Sequence, residues 1–338
     1  MRAMVMHSTT RPLAPAPLTH EDVPTPRAAG PFEVVVKIAA AGVCRTDLHV
    51  VTGDMAAPLP LVPGHENAGW VHEIGSQVTS VAVGDAVICY PFVSTGLSAP
   101  ERSGLDNDAT DRRTPGISID GGYAEYLLSS ERSMLKVDPT ADLALLAPLT
   151  DAGITAYRAC RRAARILRPG DTAVVIGIGG LGHLAVQILR ALTPATIVAV
   201  DTNPAARHLA IECGADSAIG SDDLASSPRD SARAVLDFVG GDVTCRLGIE
   251  ALGFGGTYFA IGVGGHVSMP LAELVEREKH LEGVFVGSYS DLLEVTELAV
   301  SGQVTPRVVR YRLEAANTAL HDLANGAFLG RAVLEPDG

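Results

Sequence analysis

The chain has 338 residues, 47% of them hydrophobic, so it is too long for one typical domain and rich enough in apolar residues to bury two cores. A formal net charge of −13 argues against a nucleic-acid partner or an anionic membrane surface, and no uninterrupted apolar run is long enough to span a bilayer. Five scattered cysteines and an N-terminus without a signal-peptide pattern suit a reducing, cytoplasmic setting.

Up to about residue 150 the chain reads as short strands bounded by glycine. Phe32–Ile38, Ala68–Ile74, Gly84–Tyr90 and Gly121–Leu128 have strand composition. Two runs among them carry chemistry: Gly42-Val-Cys-Arg-Thr-Asp-Leu-His49 and Pro63-Gly-His-Glu66. A thiol at Cys44, an imidazole at His65 and a carboxylate at Glu66 are the ligand types that zinc accepts. The polar stretch between Val93 and Asp120 lacks periodicity and is expected to be a long surface loop.

After about residue 151 strands and helices alternate. Strands are expected at Thr172–Ile176, Ala195–Val200, Ala234–Val239 and Thr257–Ile261, with helices at Leu181–Leu192 and Pro204–Cys213. The pattern predicts a parallel sheet covered by helices, with a last short strand, Gly283–Gly287, at its edge. Gly177-Ile-Gly-Gly-Leu-Gly182 follows a strand and opens a helix, the context a dinucleotide fingerprint requires. Gly177 makes the tight turn, Gly179 admits the pyrophosphate, and Gly182 lets helix and strand pack closely. Asp201 ends the next strand, where its carboxylate would bind the adenosine ribose. Thr202 and Asn203 beside it supply no cation, so NAD is favoured over NADP.

The two metal-type runs, the Gly84-Asp85 turn, Asp120-Gly-Gly-Tyr-Ala-Glu-Tyr126 and the glycine fingerprint occur in the same order in zinc-dependent alcohol dehydrogenases of the medium-chain dehydrogenase/reductase superfamily. The chain resembles that family over essentially its whole length. The resemblance implies an α/β fold: a GroES-like β-rich catalytic domain over 1–150, to which 289–338 return, and a Rossmann NAD-binding domain, a doubly wound parallel sheet, over 151–288. It implies Cys44 and His65 as zinc ligands and Glu66 as a carboxylate able to approach the metal. Asp47 resembles the acid that orients the histidine, while Thr46 and His49 resemble a proton relay. Arg45 and Arg331 resemble pyrophosphate-binding arginines, and Thr155 a residue packing the nicotinamide. Gly180, Leu181, Val239 and Val263 complete the expected cofactor set.

Two departures from the family stand out. Asp151 occupies the place of the usual second cysteine ligand, as in some bacterial secondary-alcohol dehydrogenases, and is expected to complete the zinc site; it could instead cap the following helix. In the stretch after Tyr90, the family's Cys-x2-Cys-x2-Cys-x7-Cys spacing falls on Thr95, Ser98, Glu101 and Ala109, so no structural zinc is expected, and the lobe should be mobile or ordered by oligomer contacts. The implied reaction interconverts an alcohol and a ketone or aldehyde with NAD(H), with one catalytic zinc, in a cleft between the domains. Alternatives are a zinc-dependent reductase of a polyol or of a conjugated iminium or enal, and a non-catalytic NAD-binding protein. A homodimer or homotetramer is expected, because the segment Gly283–Gly287 resembles the one that pairs across the family's dimer.

Overall fold

The computed structural model describes residues 1–226 and 231–336. The chain divides into two compact units, one of Met1–Ala152, Ser288–Thr296 and Pro306–Gly338, the other of Gly153–Gly287 and Glu297–Thr305.

The first unit contains β1 (Arg2–Val5) paired with β2 (Thr19–Asp22), and then β3 (Glu33–Val43), β4 (Glu66–Ile74), β5 (Ala86–Cys89), β6 (Tyr126–Ser130) and β7 (Met134–Lys136). β3 is the spine. Its Val34-Val-Val36 run is fully buried and pairs antiparallel with β4 on one side and β6 on the other. β4 is buried through Gly69 and then alternates, with Trp70 and His72 exposed. The buried half is the one that carries Glu66.

The second unit is a six-stranded parallel sheet of β8 (Thr172–Ile176), β9 (Thr196–Val200), β10 (Ser217–Ile219), β11 (Ala232–Asp237), β12 (Leu252–Ala260) and β13 (His280–Gly283). The order is β10-β9-β8-β11-β12-β13, a doubly wound Rossmann arrangement that reverses direction between β8 and β11. The chain then returns to the first unit through β14 (Val308–Arg312) and β15 (Arg331–Glu335). β15 pairs with β3 at Ala41–Val43, the end that leads into Cys44. No helix of the described residues is long and apolar enough to cross a membrane.

Three sequence expectations are corrected. The strand expected at Gly121–Leu128 begins only at Tyr126. Gly122 and Tyr123 instead donate their backbone N–H groups to Gly64 and Pro63 carbonyls at 2.9 Å, which draws this segment against the His65 loop. The edge strand expected at Gly283–Gly287 lies earlier, at His280–Gly283. Its partner β12 ends at Ala260, opposite Gly283, and Val286 further on takes a left-handed φ of 47°.

The third correction is the stretch between Val93 and Asp120, which is an ordered lobe. A helix over Ala99–Arg102 and a 3-10 turn over Asp106–Asp108 lie between paired Val93 and Arg113. The buried carboxylate of Glu101 holds it together. Its Oε1 accepts the Gly96 N–H at 2.9 Å and the Ser94 hydroxyl, and its Oε2 accepts the Ser98 hydroxyl at 2.6 Å and the Ser98 N–H at 3.1 Å. Thr95 donates its hydroxyl to Asp111 at 2.6 Å. Ala109, at the fourth of the cysteine positions, is simply buried.

Burial would raise the Glu101 pKa, but the hydrogen bonds from Ser94, Ser98 and Gly96 outweigh it and hold the carboxyl below its ordinary value. A depressed folded-state pKa stabilises above the unfolded-state value, and the contribution fades as pH falls through the folded-state value. Amide-exchange protection of residues 94–105 is therefore expected to drop in acid. Glu101→Ala should lose about tenfold or more of that protection already at neutral pH, because several donors lose a charged acceptor. Hydrogen-exchange mass spectrometry checks both, and unchanged protection in Glu101→Ala would count against the hub.

Candidate functional site

β3 delivers the chain to Cys44, which N-caps a helix over Arg45–Thr52. Asp47, third in that helix, points back. Its Oδ2 accepts the Cys44 N–H at 2.8 Å, as in one half of a capping box, and the Tyr123 hydroxyl at 2.9 Å. Its Oδ1 lies 3.1 Å from His65 Nδ1. Asp47 is wholly buried, and these donors stand in for water. With Nδ1 facing a carboxylate, His65 presents Nε2 to the opposite side, where it is buried and has no hydrogen-bond partner.

What Nε2 faces is Asp151 Oδ2, at 3.5 Å, and Asp151 Oδ2 is 3.9 Å from Cys44 Sγ. Among the described residues no helix N–H donates to this carboxylate, so it faces the cluster and does not cap the helix over Ala152–Ala164. Donor atoms of Cys44, His65, Glu66 and Asp151 all lie within 4.8 Å of one another, an arrangement that fits a metal ion. The electrostatics agree. Burial disfavours charge on His65, yet the Asp47 charge and the nearby Asp151, Asp47 and Cys44 side chains outweigh it and raise its pKa well above the ordinary value. Burial raises Asp151, but the adjacent His65 ring and the charges of His65 and Arg331 bring it below the ordinary value.

Glu66 has other partners. Its Oε2 is 2.5 Å from Arg331 Nη2 and its Oε1 accepts the Ala152 N–H at 3.1 Å. Burial is the largest influence on Glu66 and raises its pKa; Arg331 opposes it, and Asp151 adds to it. Arg331 is itself buried, so its observed place is inside this cluster. Thr46 Oγ1 lies 3.7 Å from Cys44 Sγ. His49, three residues on and therefore on the same helix face, is partly exposed, with Nδ1 3.8 Å from Asp54 Oδ2. Arg45 is exposed at the start of that helix.

The nucleotide-type residues gather separately, at the C-terminal ends of β8, β9, β11 and β12, beside the point where the strand order reverses. Gly177 turns with φ 87°, and a Cβ at Gly182 would sit 1.9 Å from the Gly177 carbonyl oxygen, so only glycine allows the helix over Gly182–Leu192 to start there. Gly179 is exposed, Gly180 and Leu181 are half-buried, and Thr155 is buried in the helix over Ala152–Ala164. Asp201 Oδ2 accepts the Ile178 N–H at 2.8 Å, which ties the glycine turn to the end of β9. Val239 and Val263 are exposed in the turns after β11 and β12. Those turns are joined by the Gly265 N–H, which donates to the Gly240 carbonyl at 2.7 Å. Asp237 supports the first of them by accepting the Val239 and Gly240 N–H groups at 2.8 and 2.9 Å.

Sequence reasoning passed over Tyr123, Asp237 and Arg207. Tyr123 lies in a quoted motif, but its bond to Asp47 depends on how the loop runs. Arg207 is six residues beyond Asp201, yet its guanidinium reaches the Asp201 carbonyl.

The fold and the buried donor cluster define a metal-binding medium-chain dehydrogenase. The chain belongs to the zinc-binding alcohol dehydrogenase family: the alcohol dehydrogenase GroES-like domain matches residues 30–139, and the zinc-binding dehydrogenase domain matches residues 180–301. It is 37% identical over 339 residues to the NAD-dependent alcohol dehydrogenase of Sulfurisphaera tokodaii, covering 95% of this chain and 97% of the relative. The solved alcohol dehydrogenase of Aeropyrum pernix is similar with a TM-score of 0.93 and 38% identity, over 99% of this chain and 100% of that one. A D-arabinose 1-dehydrogenase (NADP(+)) of Saccharolobus solfataricus is 35% identical over 95% of each chain.

Removing the carboxylate behind a metal-ligating histidine costs about 10–100-fold in metal affinity. Asp47→Ala is expected to weaken cobalt or zinc binding by that order in a chelator competition. Affinity within twofold of the unsubstituted chain would show that His65 is oriented by something else.

Proposed function

We propose that the protein is an NAD-dependent alcohol dehydrogenase that interconverts an alcohol and a ketone or aldehyde, with one zinc held by Cys44, His65 and Asp151. The observation that carries this reading is the buried, unpartnered His65 Nε2 facing a thiol and a carboxylate. When bound, zinc supplies Lewis-acid polarisation of the substrate oxygen, and NAD(H) supplies or accepts the hydride.

The chain's own residues do the rest. Asp47 holds His65 Nδ1 and so aims Nε2. Glu66, held by Arg331 and the Ala152 N–H, stays at the margin of the ligand set. Thr46 Oγ1, beside Cys44 Sγ, receives the proton that leaves the substrate hydroxyl, and His49, on the same helix face and open to solvent, passes it outward. In the nucleotide-binding unit the glycine turn and helix N-terminus at Gly182 receive the pyrophosphate, and Asp201 receives the ribose. Exposed Arg45 is the arginine suited to the pyrophosphate, and Thr155, Val239 and Val263 pack the nicotinamide end.

Thr95, Ser98, Glu101 and Ala109 offer no thiolate, and their lobe has its own hydrogen bonds, which supports a single zinc per chain. Free cysteines at Cys44, Cys89, Cys160, Cys213 and Cys245 support a cytoplasmic site of action. Exposed Leu281 and Phe285 at the β13 edge support a homo-oligomer that covers this edge. Light scattering should give two or four chains per particle, and a monomer would exclude this pairing. The likeness to a D-arabinose dehydrogenase favours a second reading, in which the alcohol is a sugar or polyol.

Metal analysis is expected to find about one zinc per chain, and Asp151→Ala should lose most of it. Zinc content unchanged in Asp151→Ala would remove Asp151 from the ligand set. Thr46→Ala should keep the zinc and lower kcat by about 100-fold or more. NAD(P)H-linked assays against simple secondary alcohols and aldoses separate the two substrate readings.

A further inference from the structure

The helix over Pro204–Glu212 is capped by Asn203, whose Oδ1 accepts the Ala205 N–H at 2.9 Å. Helical side chains lean toward the N-terminus. Arg207 therefore comes back to the end of β9, where its Nη1 donates to the Asp201 carbonyl at 2.8 Å and the Thr202 carbonyl at 3.1 Å. The side chain is half-buried, and its Nε and Nη2 hydrogens have no acceptor among the described residues.

The carboxylate at this corner is already bonded on both sides. Asp201 Oδ2 accepts the Ile178 N–H and Oδ1 accepts the Asn203 N–H, each at 2.8 Å. The adenosine end of the nucleotide site thus pairs one hydrogen-bonded carboxylate with one anchored guanidinium that retains free donors. A guanidinium is the side chain best matched to a phosphate, and an arginine near the ribose is how Rossmann sites accept a 2′-phosphate.

We propose that Arg207 is a binding group for the ribose 2′-phosphate, so that the chain accepts NADP(H) as well as NAD(H), with Asp201 setting the preference between them. The inference rests on the reading that the nucleotide binds at Gly177–Gly182. It revises the expectation drawn from Thr202 and Asn203, because the cation arrives from the next helix.

Binding of NADH and NADPH to the full chain, followed by nicotinamide fluorescence, tests it, with thermal melts to confirm folding. The unsubstituted chain should bind both. Arg207→Ala should weaken NADPH about tenfold more than NADH. Asp201→Asn should shift the preference toward NADPH, and Asp201→Asn with Arg207→Ala should lose that shift. Equal losses for both nucleotides in folded Arg207→Ala, or a preference shift that survives without Arg207, would overturn the inference. NADH binding with no NADPH binding, in the unsubstituted chain and in Asp201→Asn, would overturn it while leaving the nucleotide site in place. Failure of the folded protein to bind either would overturn the nucleotide reading itself.

Discussion

The buried carboxylate of Asp47 is the constraint around which the catalytic unit is arranged. It joins three stretches of chain: the helix that follows Cys44, the loop that ends in His65, and the segment bearing Tyr123. A wholly buried carboxylate is costly unless its lone pairs are satisfied. Here the groups that satisfy it are the Cys44 backbone, the His65 ring and the Tyr123 hydroxyl. The same bonds therefore stabilise the core and fix the directions of a thiol and an imidazole. Because Gly122 and Tyr123 are held by the Gly64 and Pro63 carbonyls, the loop carrying His65 is anchored on two sides.

Glu66 and Arg331 illustrate the opposite balance. A carboxyl and a guanidinium lie buried 2.5 Å from each other, and the carboxyl shares its cluster with a second carboxylate and a thiol. The desolvation of such a pair is of the same order as its attraction, so stability alone gives no reason for it. Its effect is to place a positive charge beside Glu66, a charge that also acts on Asp151. The carboxylate that adjoins His65 in the chain is thereby tied to Arg331 and the Ala152 N–H while it stays in one donor cluster with Asp151, 85 positions later.

Most strands were legible because burial and chain period coincide. Val34–Val36, Thr172–Ile176 and Thr196–Val200 are runs rich in β-branched residues, and the structure forms strands there. The glycine turn was legible because local backbone geometry demands its residues. Errors arose where composition and tertiary context part. Val284-Phe-Val286 has strand composition, but the partner strand ends at Ala260, opposite Gly283, and the ladder stops there. The lobe after Val93 reads as loop because hydrogen bonds to one carboxylate leave no periodic trace. The alignment of Cys44, His65 and Asp151 is long-range, so residue types and family likeness suggest it, but spacing does not. Arg207 was missed for a related reason: adjacency in a helix corner is set by the 3.6-residue turn and not by sequence neighbours.

The Glu101 hub carries a consequence for how the chain ages and where it can work. A lobe cross-linked by thiolates and a metal fails when its sulfurs oxidise or its ion is scavenged. A lobe cross-linked by a carboxylate, serine hydroxyls and backbone amides has neither weakness. The bonds that Ser94, Gly96 and Ser98 make to Glu101 involve no sulfur, so their strength follows proton activity and not the redox state of a thiol.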